Sequence, residues 1–353
     1  MSNPRFLAIL TVRNEASFLL EWLAHHRAVG FTDFLVFSND CTDGTEKLLD
    51  RLEKLGHLTH LRNYGPHDAG PQWAALKRAD KHPLKKAADW VLFFDIDEFV
   101  NIHVGDHTLP GLLAALPQAT AIPLTWRFFG NNGVVRYQDQ LVTDTFTQAA
   151  PAVLYWPWRA ALFKTLFRND GTYGKLGVHR PRNPDKHRLQ ATRWFDGSGR
   201  ELPDLFHTSR IFSNFGQDNY RLAQLNHYAL GAMQSYIVKA DRGRANVGAS
   251  GFDMSYWVDR NFGQETDRSI SALGPERDAR LADLRADPEL ARLHAAAVMW
   301  RRDRFETLML REPYRALFGR LLMVPPTRVL PLTEAQFLMS YAKRAAEPPP
   351  TEA

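Results

Sequence analysis

The residues of this chain most able to do chemistry stand where apolar runs stop at carboxylates. Trp90 to Val100 reads WVLFFDIDEFV, five large apolar residues leading straight into Asp95, Asp97 and Glu98. In an extended segment, residues two apart project to the same side, so Asp95 and Asp97 would point together and Ile96 away. Two carboxylates that close repel unless protons or a cation compensate them. The pair therefore suits a hard divalent cation, Mn²⁺ or Mg²⁺, held jointly with the phosphates of a nucleotide. The competing expectation is a strand that simply reaches water at Asp95.

Two more apolar runs end in polar clusters. Phe6 to Val12 leads into Thr11-Val-Arg-Asn-Glu15, and Asp33 to Phe37 leads into Ser38-Asn-Asp-Cys-Thr-Asp-Gly-Thr45. In the second cluster Asp43 and Glu46 have capping-box spacing, and Gly44 permits a tight approach of backbone to ligand. Either cluster alone is ordinary helix-start chemistry; three polar strand ends on one sheet edge are harder to explain that way. Positive charge gathers downstream: from Arg159 to Arg244 fifteen Lys and Arg face seven Asp and Glu, a larger excess than the +5 of the whole chain. That segment needs an anion. No helix-turn-helix, zinc-finger or RNP pattern accompanies it, which argues against nucleic acid and leaves a diphosphate or an anionic membrane surface.

The elements that must hold these groups alternate. Phe6 to Val12 has the pattern of a strand, Ala16 to Val29 of a helix, Asp33 to Phe37 of a strand and Thr45 to Leu55 of a helix. Leu58 to Arg62 fits a short strand, Gln72 to Ala88 a helix interrupted at Pro83, and Trp90 to Asp95 a strand buried on both faces. Such alternation predicts an α/β fold, a mostly parallel sheet with helices on both faces. Ligands of such sheets lie beyond the carboxyl ends of the strands, where Asp95 and Asp97 fall.

After Val104 the alternation fades into aromatic, turn-rich segments such as Thr125-Trp-Arg-Phe-Phe-Gly-Asn-Asn132, Tyr155-Trp-Pro-Trp158 and Trp194-Phe-Asp-Gly-Ser-Gly199. Rings beside Asn, Arg and Gly suit a sugar platform, or an ordinary core. From Ser269 to about Lys343 the chain is helical and Arg-rich, with no catalytic constellation. Within it Phe318 to Val324 suits a packed C-terminal helix or a basic, apolar surface helix, and Glu347 to Ala353 a disordered tail.

With 353 residues, 44% hydrophobic and 24% charged, the chain can bury a sizeable core in one large domain or two. Its single cysteine, Cys41, excludes an internal disulfide, so a cytoplasmic, bacterial setting is expected. No segment has the pattern of a signal peptide, and Phe6 to Val12 is far too short to span a membrane.

Taken in order, Arg13-Asn14-Glu15 after the first strand, Asn39-Asp40 and Asp43-Gly44-Thr45 after the second, and Asp95-Ile96-Asp97-Glu98 after a later one resemble a glycosyltransferase of the GT-A (Rossmann-like) fold. The likeness is greatest to the family-2-like and family-92-like enzymes. A second block adds to it: Lys175-Leu-Gly-Val-His179-Arg-Pro181, then Leu225-Asn-His-Tyr228, Ser235, Lys239 and Arg242-Gly-Arg244. The resemblance spans roughly Arg5 to Asn246. It implies a nucleotide-sugar-binding half over residues 1–150, an acceptor and catalytic half over 151–268, a helical region over 269–345 and a tail over 346–353. It also implies a metal-dependent, inverting transfer of a sugar from a nucleotide-sugar donor, a UDP-sugar in the first place, to a glycan or lipid-linked acceptor in polysaccharide biosynthesis.

On that resemblance Thr11, Arg13 and Glu15 line the nucleotide pocket, while Asn39 and Asp43 approach base and ribose. Ser38-Asn39 stand where family 2 often has two acids, which leaves the base open. Asp95 and Asp97 hold Mn²⁺ (or Mg²⁺) against the diphosphate, with Glu98 a wall of the site or a secondary catalytic candidate. Lys175, Arg180, Lys239 and Arg242 contact phosphate. His179, or His227 in its place, adds a metal ligand. An inverting transfer needs a carboxylate base, for which Asp196 and Asp253 are candidates, each also suited to a turn. The basic C-terminal region allows peripheral contact with the inner face of a membrane.

Two rivals remain. A haloacid-dehalogenase-type phosphotransferase also ends a buried strand in Asp-x-Asp, but on its first strand; here the motif comes later and runs into Glu98-Phe99. A non-catalytic glycan- or polyanion-binding module could keep the fold, yet a binder of anions would gain by losing Asp95 and Asp97.

Overall fold

The computed structural model describes residues 4–243 and 251–346. Arg244 and the tail expected to be disordered from Glu347 onward lie outside these residues. The opening elements are β1 (Phe6–Val12), α1 (Ala16–Val29), β2 (Asp33–Ser38), α2 (Thr45–Lys54) and β3 (Thr59–Arg62). The interrupted helix becomes α3 (Pro71–Ala79) and α4 (Pro83–Ala87), and β4 (Trp90–Phe93) follows. Pro83 opens the second helix because a first-turn residue has no intrahelical use for an N–H. Then come β5 (Glu98–Ile102), α5 (Leu109–Ala115), β6 (Ala121–Phe128), α6 (Val142–Thr145), β7 (Gln148–Ala149), β8 (Phe163–Arg168), β9 (Tyr173–Lys175) and β10 (Arg182–Pro184). After α7 (Lys186–Leu189) and α8 (Leu205–Thr208) stand β11 (Ala223–His227), α9 (Met233–Arg242), α10 (Met254–Val258) and β12 (Glu265–Thr266). The chain ends in α11 (Gly274–Ala286), α12 (Pro288–Met309), α13 (Glu312–Met323) and α14 (Leu332–Ala346).

One eight-stranded sheet runs β3-β2-β1-β4-β8-β6-β11-β5. β1 pairs parallel with β2 and β4, β2 with β3, and β6 with β11; β8 is antiparallel to β4 and β6, and β5 to β11. Six strands thus end on one edge, where β8 and β5 begin. Alternate side chains sort to two cores. Phe6, Ala8 and Leu10 of β1 and Trp90 and Leu92 of β4 join α1 and α2, whereas Leu7, Ile9, Val91 and Phe93 pack with Ala75, Leu76 and Trp194. That period-two sorting with both faces apolar is what a covered strand requires.

Regular structure does not fade after Val104, contrary to expectation: β6, β8 and β11 complete the sheet. Thr125 to Phe128 are strand, not turn. These strands escape notice because Thr125, Lys164, Thr165, Gln224 and Asn226 interrupt their apolar runs although all are buried. The C-terminal helices are packed against the sheet-bearing part: α11 lies on α1, and α12 lies along α9, α1 and α2. Leu281, Leu284, Leu290 and Leu293 belong to the same core as β1. No helix among the described residues is long and apolar enough to cross a membrane.

Candidate active site

The acid pair does not sit on a strand. β4 stops at Phe93, and Asp95 to Asp97 form a tight turn into β5, closed by the Glu98 N–H donating to Asp95 O at 3.1 Å. The shared side of a pleat is therefore not what brings the two acids together. Glu98 holds the turn from inside: its Oε2 accepts from Asp95 N at 2.9 Å and its Oε1 from Trp126 Nε1 at 2.7 Å. Burial, against the pull of Lys164, pushes the Glu98 carboxyl up to about 8. With no exposed surface and both oxygens bonded, Glu98 lies beneath the acid turn, outside the cleft lining, and is not a base facing substrate.

Each Asp is met by a lysine. Lys164 Nζ donates to Asp95 Oδ2 at 2.9 Å, and its side chain is only 1% exposed. Burial opposes its charge, but Asp95 and Glu98 raise its pKa on balance. Lys239 Nζ donates to Asp97 Oδ2 at 2.6 Å. Burial works against the Asp97 carboxylate too, yet Lys239 and His227 hold it well below the usual range. Gln72 of α3 adds a bond to Asp95 Oδ1 at 3.2 Å.

A cleft of about 680 Å³ opens over this turn at the carboxyl edge of the sheet. Of the residues singled out in the sequence, Thr11, Arg13, Asn39, Asp95, Asp97, His179, His227, Lys239 and Arg242 all line it. The two histidines differ in what they touch. His227 Nε2 lies 3.8 Å from Asp97 Oδ2, and burial keeps the ring neutral against the pull of Asp97. His179 Nδ1 lies 2.9 Å from Phe163 O, its ring rests on Trp126, and burial pushes it down to about 4. Proximity to the acids thus favours His227.

Other candidates stand outside the lining. Glu15 is buried between Arg242 and Arg301, accepting from both. Asp43 spends Oδ1 on the N–H and hydroxyl of Thr45 and Oδ2 on Ala16 N, tying the starts of α1 and α2 together. Its capping-box partner does not form, since Glu46 bonds Ser38 and Tyr64 instead. Gly44 begins α2 at φ 90° with open space around it, so its conformation and not a close approach requires glycine. Lys175 is exposed on β9, and Arg180 donates to Pro181 O. Asp196 is bonded by the backbone of Ser198 and by Arg200, and Asp253 caps α10 by accepting from Tyr256 N at 2.9 Å. Asp196 thus holds a turn and Asp253 a helix start.

The structure also supplies residues that the sequence does not advertise. Lys164 is one; a charge inside Phe163-Lys-Thr-Leu-Phe167 carries the same signature as the acids after β4. Arg260 lines the cleft, is buried, stacks 3.7 Å from the Tyr256 ring, and has an Nε without a hydrogen-bond partner among the described residues. Arg301 of α12 braces the site from the C-terminal helices. It donates to Glu15 Oε2 at 3.0 Å and Asn14 O at 3.1 Å, while Glu15 takes Arg242 on its other oxygen.

A hard cation fits this donor set in kind. Asp95 and Asp97 face the cleft at 34% and 21% side-chain exposure, and a carboxylate with one ammonium bond keeps lone pairs to give. His227 adds a neutral imidazole. Among the described residues no three His, Cys, Asp or Glu converge as a closed ligand cluster.

The sheet, the acid turn at its carboxyl edge and the cationic cleft above it define an α/β protein of GT-A type. The glycosyltransferase family 92 model matches residues 8–193, more than half of the chain, and the chain belongs to that family. A family 92 protein of Oryza sativa subsp. japonica is 27% identical over 143 residues, 38% of this chain and 23% of its own length. One of Ricinus communis is 27% identical over 148 residues, 38% of this chain and 24% of its own. The chain thus matches about a quarter of the length of these curated relatives. Among solved structures, S. aureus TarS 1-349 covers 97% of this chain and 92% of its own at 12% identity and a TM-score of 0.30. Glucosyl-3-phosphoglycerate synthase from Mycobacterium tuberculosis, in complex with Mg²⁺ and UDP, covers 35% of this chain and 44% of its own at 15% identity and a TM-score of 0.24.

Proposed function

We propose that this chain transfers a sugar from a nucleoside diphosphate sugar, a UDP-sugar in the first place, to a glycan or lipid-linked acceptor. The observation that carries the reading is the cleft at the sheet's carboxyl edge, where Asp95 and Asp97 stand beside Lys239, Arg242 and Arg260. Anions and a cation are both served there. Asp95, Asp97 and His227 would hold Mn²⁺ or Mg²⁺, which when bound neutralises charge on the departing diphosphate. Arg242 and Arg260, with Lys239 beside Asp97, would meet the phosphates. The acceptor oxygen forms the new bond to the anomeric carbon, the bond to the diphosphate oxygen breaks with its electron pair, and the hydroxyl proton leaves to solvent or a base.

Membership of the family supports transfer over mere binding, and so does the cost of keeping two carboxylates in a cationic cleft. The setting we infer is cytoplasmic, with contact at the inner face of a membrane. Exposed Leu322 and Met323 on α13 and Phe337 and Tyr341 on α14, interspersed with Arg315, Arg320 and Arg344, support that contact. A screen of UDP-, GDP- and CMP-sugars with Mn²⁺, reading release of the nucleotide, tests the function. One donor should turn over in the native protein and not in Asp97→Asn; no release from any donor would overturn the reading.

A further inference from the structure

A second cavity, of about 310 Å³, lies behind the acid turn. Ile96, Asp97 and Lys239 belong to its wall and to that of the cleft, so the two spaces meet at the Asp97–Lys239 pair. Away from that junction its walls carry five rings, Phe18, Phe99, Tyr137, Phe146 and Tyr228, together with the polar Arg136, Gln138 and Gln140.

The donor belongs to the cleft rather than to this cavity. Of the cations inside, Lys239 is bonded to Asp97 and Arg301 to Glu15, and Arg136 also belongs to the wall. The ends of β1 and β2 line the cleft and not this cavity. An apolar group suits the rings, and a hydroxyl attached to it would emerge at the junction, facing the cleft.

Resting on the glycosyltransferase reading, we propose that this cavity is the acceptor site and that the acceptor carries an apolar group, alkyl or aryl, beside the hydroxyl that receives the sugar. Lipid-linked and aryl-linked acceptors share that chemistry.

The test is saturation-transfer NMR on the full chain with octyl, phenyl and methyl β-glucosides as probes, the octyl compound below its micelle concentration. Variants Val134→Trp and Val142→Trp, at half-buried lining positions, fill the cavity from a loop and from the start of α6. Circular dichroism checks their folding, and UDP titration in the presence of Mn²⁺ reads the cleft separately. The octyl or phenyl group should receive saturation, the methyl glucoside should not, and both variants should weaken binding at least about tenfold while UDP affinity is kept. Stronger transfer to octyl assigns an alkyl acceptor, and stronger transfer to phenyl an aryl one. Equal behaviour of methyl and octyl glucosides, or variants that bind as the native protein does, would overturn the proposal. Should neither variant fold, the comparison of methyl with octyl and phenyl on the native chain decides alone. If UDP fails to bind the native protein, it is the glycosyltransferase reading that fails, whatever the glucosides do.

Discussion

Replacing Arg301 by Met keeps an unbranched stem over the Phe18 ring, 4.5 Å from the present guanidinium, and deletes four hydrogen bonds, to Ser17, Ser235, Asn14 O and Glu15. Breaking a buried ion pair from one side costs about 3–5 kcal/mol. Glu15 keeps Arg242, so the lower end applies, about 3 kcal/mol. The effect should reach the cleft, because Arg242 donates both to Glu15 and to Arg13 O and a Glu15 freed on one side no longer fixes it. We expect UDP affinity to fall about tenfold, the equivalent of one displaced charge-assisted bond. Urea unfolding of the native protein, Arg301→Met, Glu15→Gln and the double variant measures the coupling, expected at ~1–3 kcal/mol. A single-variant loss under about 1 kcal/mol, or strictly additive losses, would refute the view that α12 braces the site.

Lys164→Met removes the ammonium that anchors Asp95 while leaving Asp95 able to hydrate at 34% exposure. It should cost about 1–3 kcal/mol in urea unfolding and weaken UDP binding about tenfold; unchanged binding would show that Asp95 does not depend on that anchor. Acid should destabilise the protein through His25 and His26. Burial pushes His25 down to about 4 and His26 down as well, so both stay neutral when folded but charge near 6.5 when unfolded. Their stabilisation is present above about pH 6.5 and is lost as pH falls toward about 4. His25→Gln keeps a donor for Val100 O, which His25 Nε2 meets at 2.8 Å, and removes one titrating site. Between pH 7 and pH 5 the variant should lose about 2 kcal/mol less than the native protein, and equal losses would refute the assignment.

The first half of the fold is legible in the sequence because its strands are uninterrupted apolar runs and its helices start at polar clusters, as at Ala16 and Thr45. The second half is not, because β8 and β11 carry buried Lys164, Thr165, Gln224 and Asn226 inside their apolar runs, the first pair bonded to Asp95 and His179 O and the second to each other, Asp267 and Tyr228. The acid pair is legible by residue type, but its placement in a turn depends on Glu98 folding back to Asp95 N, a contact that no periodicity encodes. Asn39 and Asp43 show the limit of reading polar strand ends as ligand contacts. Asn39 bonds Val12 O and Asn63, and Asp43 bonds two helix starts, so much of their polarity holds the frame together. Arg301 is one arginine among many in the C-terminal helices, and only the packing of α12 against α1 gives it Glu15.

The central claim is that Asp95 and Asp97 form a cation site shared with a nucleotide. Calorimetric titration of UDP into the native protein and Asp97→Asn, each with Mn²⁺ and with EDTA, tests it most directly. The account predicts binding that requires both the metal and Asp97. Equal UDP binding with EDTA, or by Asp97→Asn, would contradict it and leave the lysines, not a cation, as the partners of the acid turn.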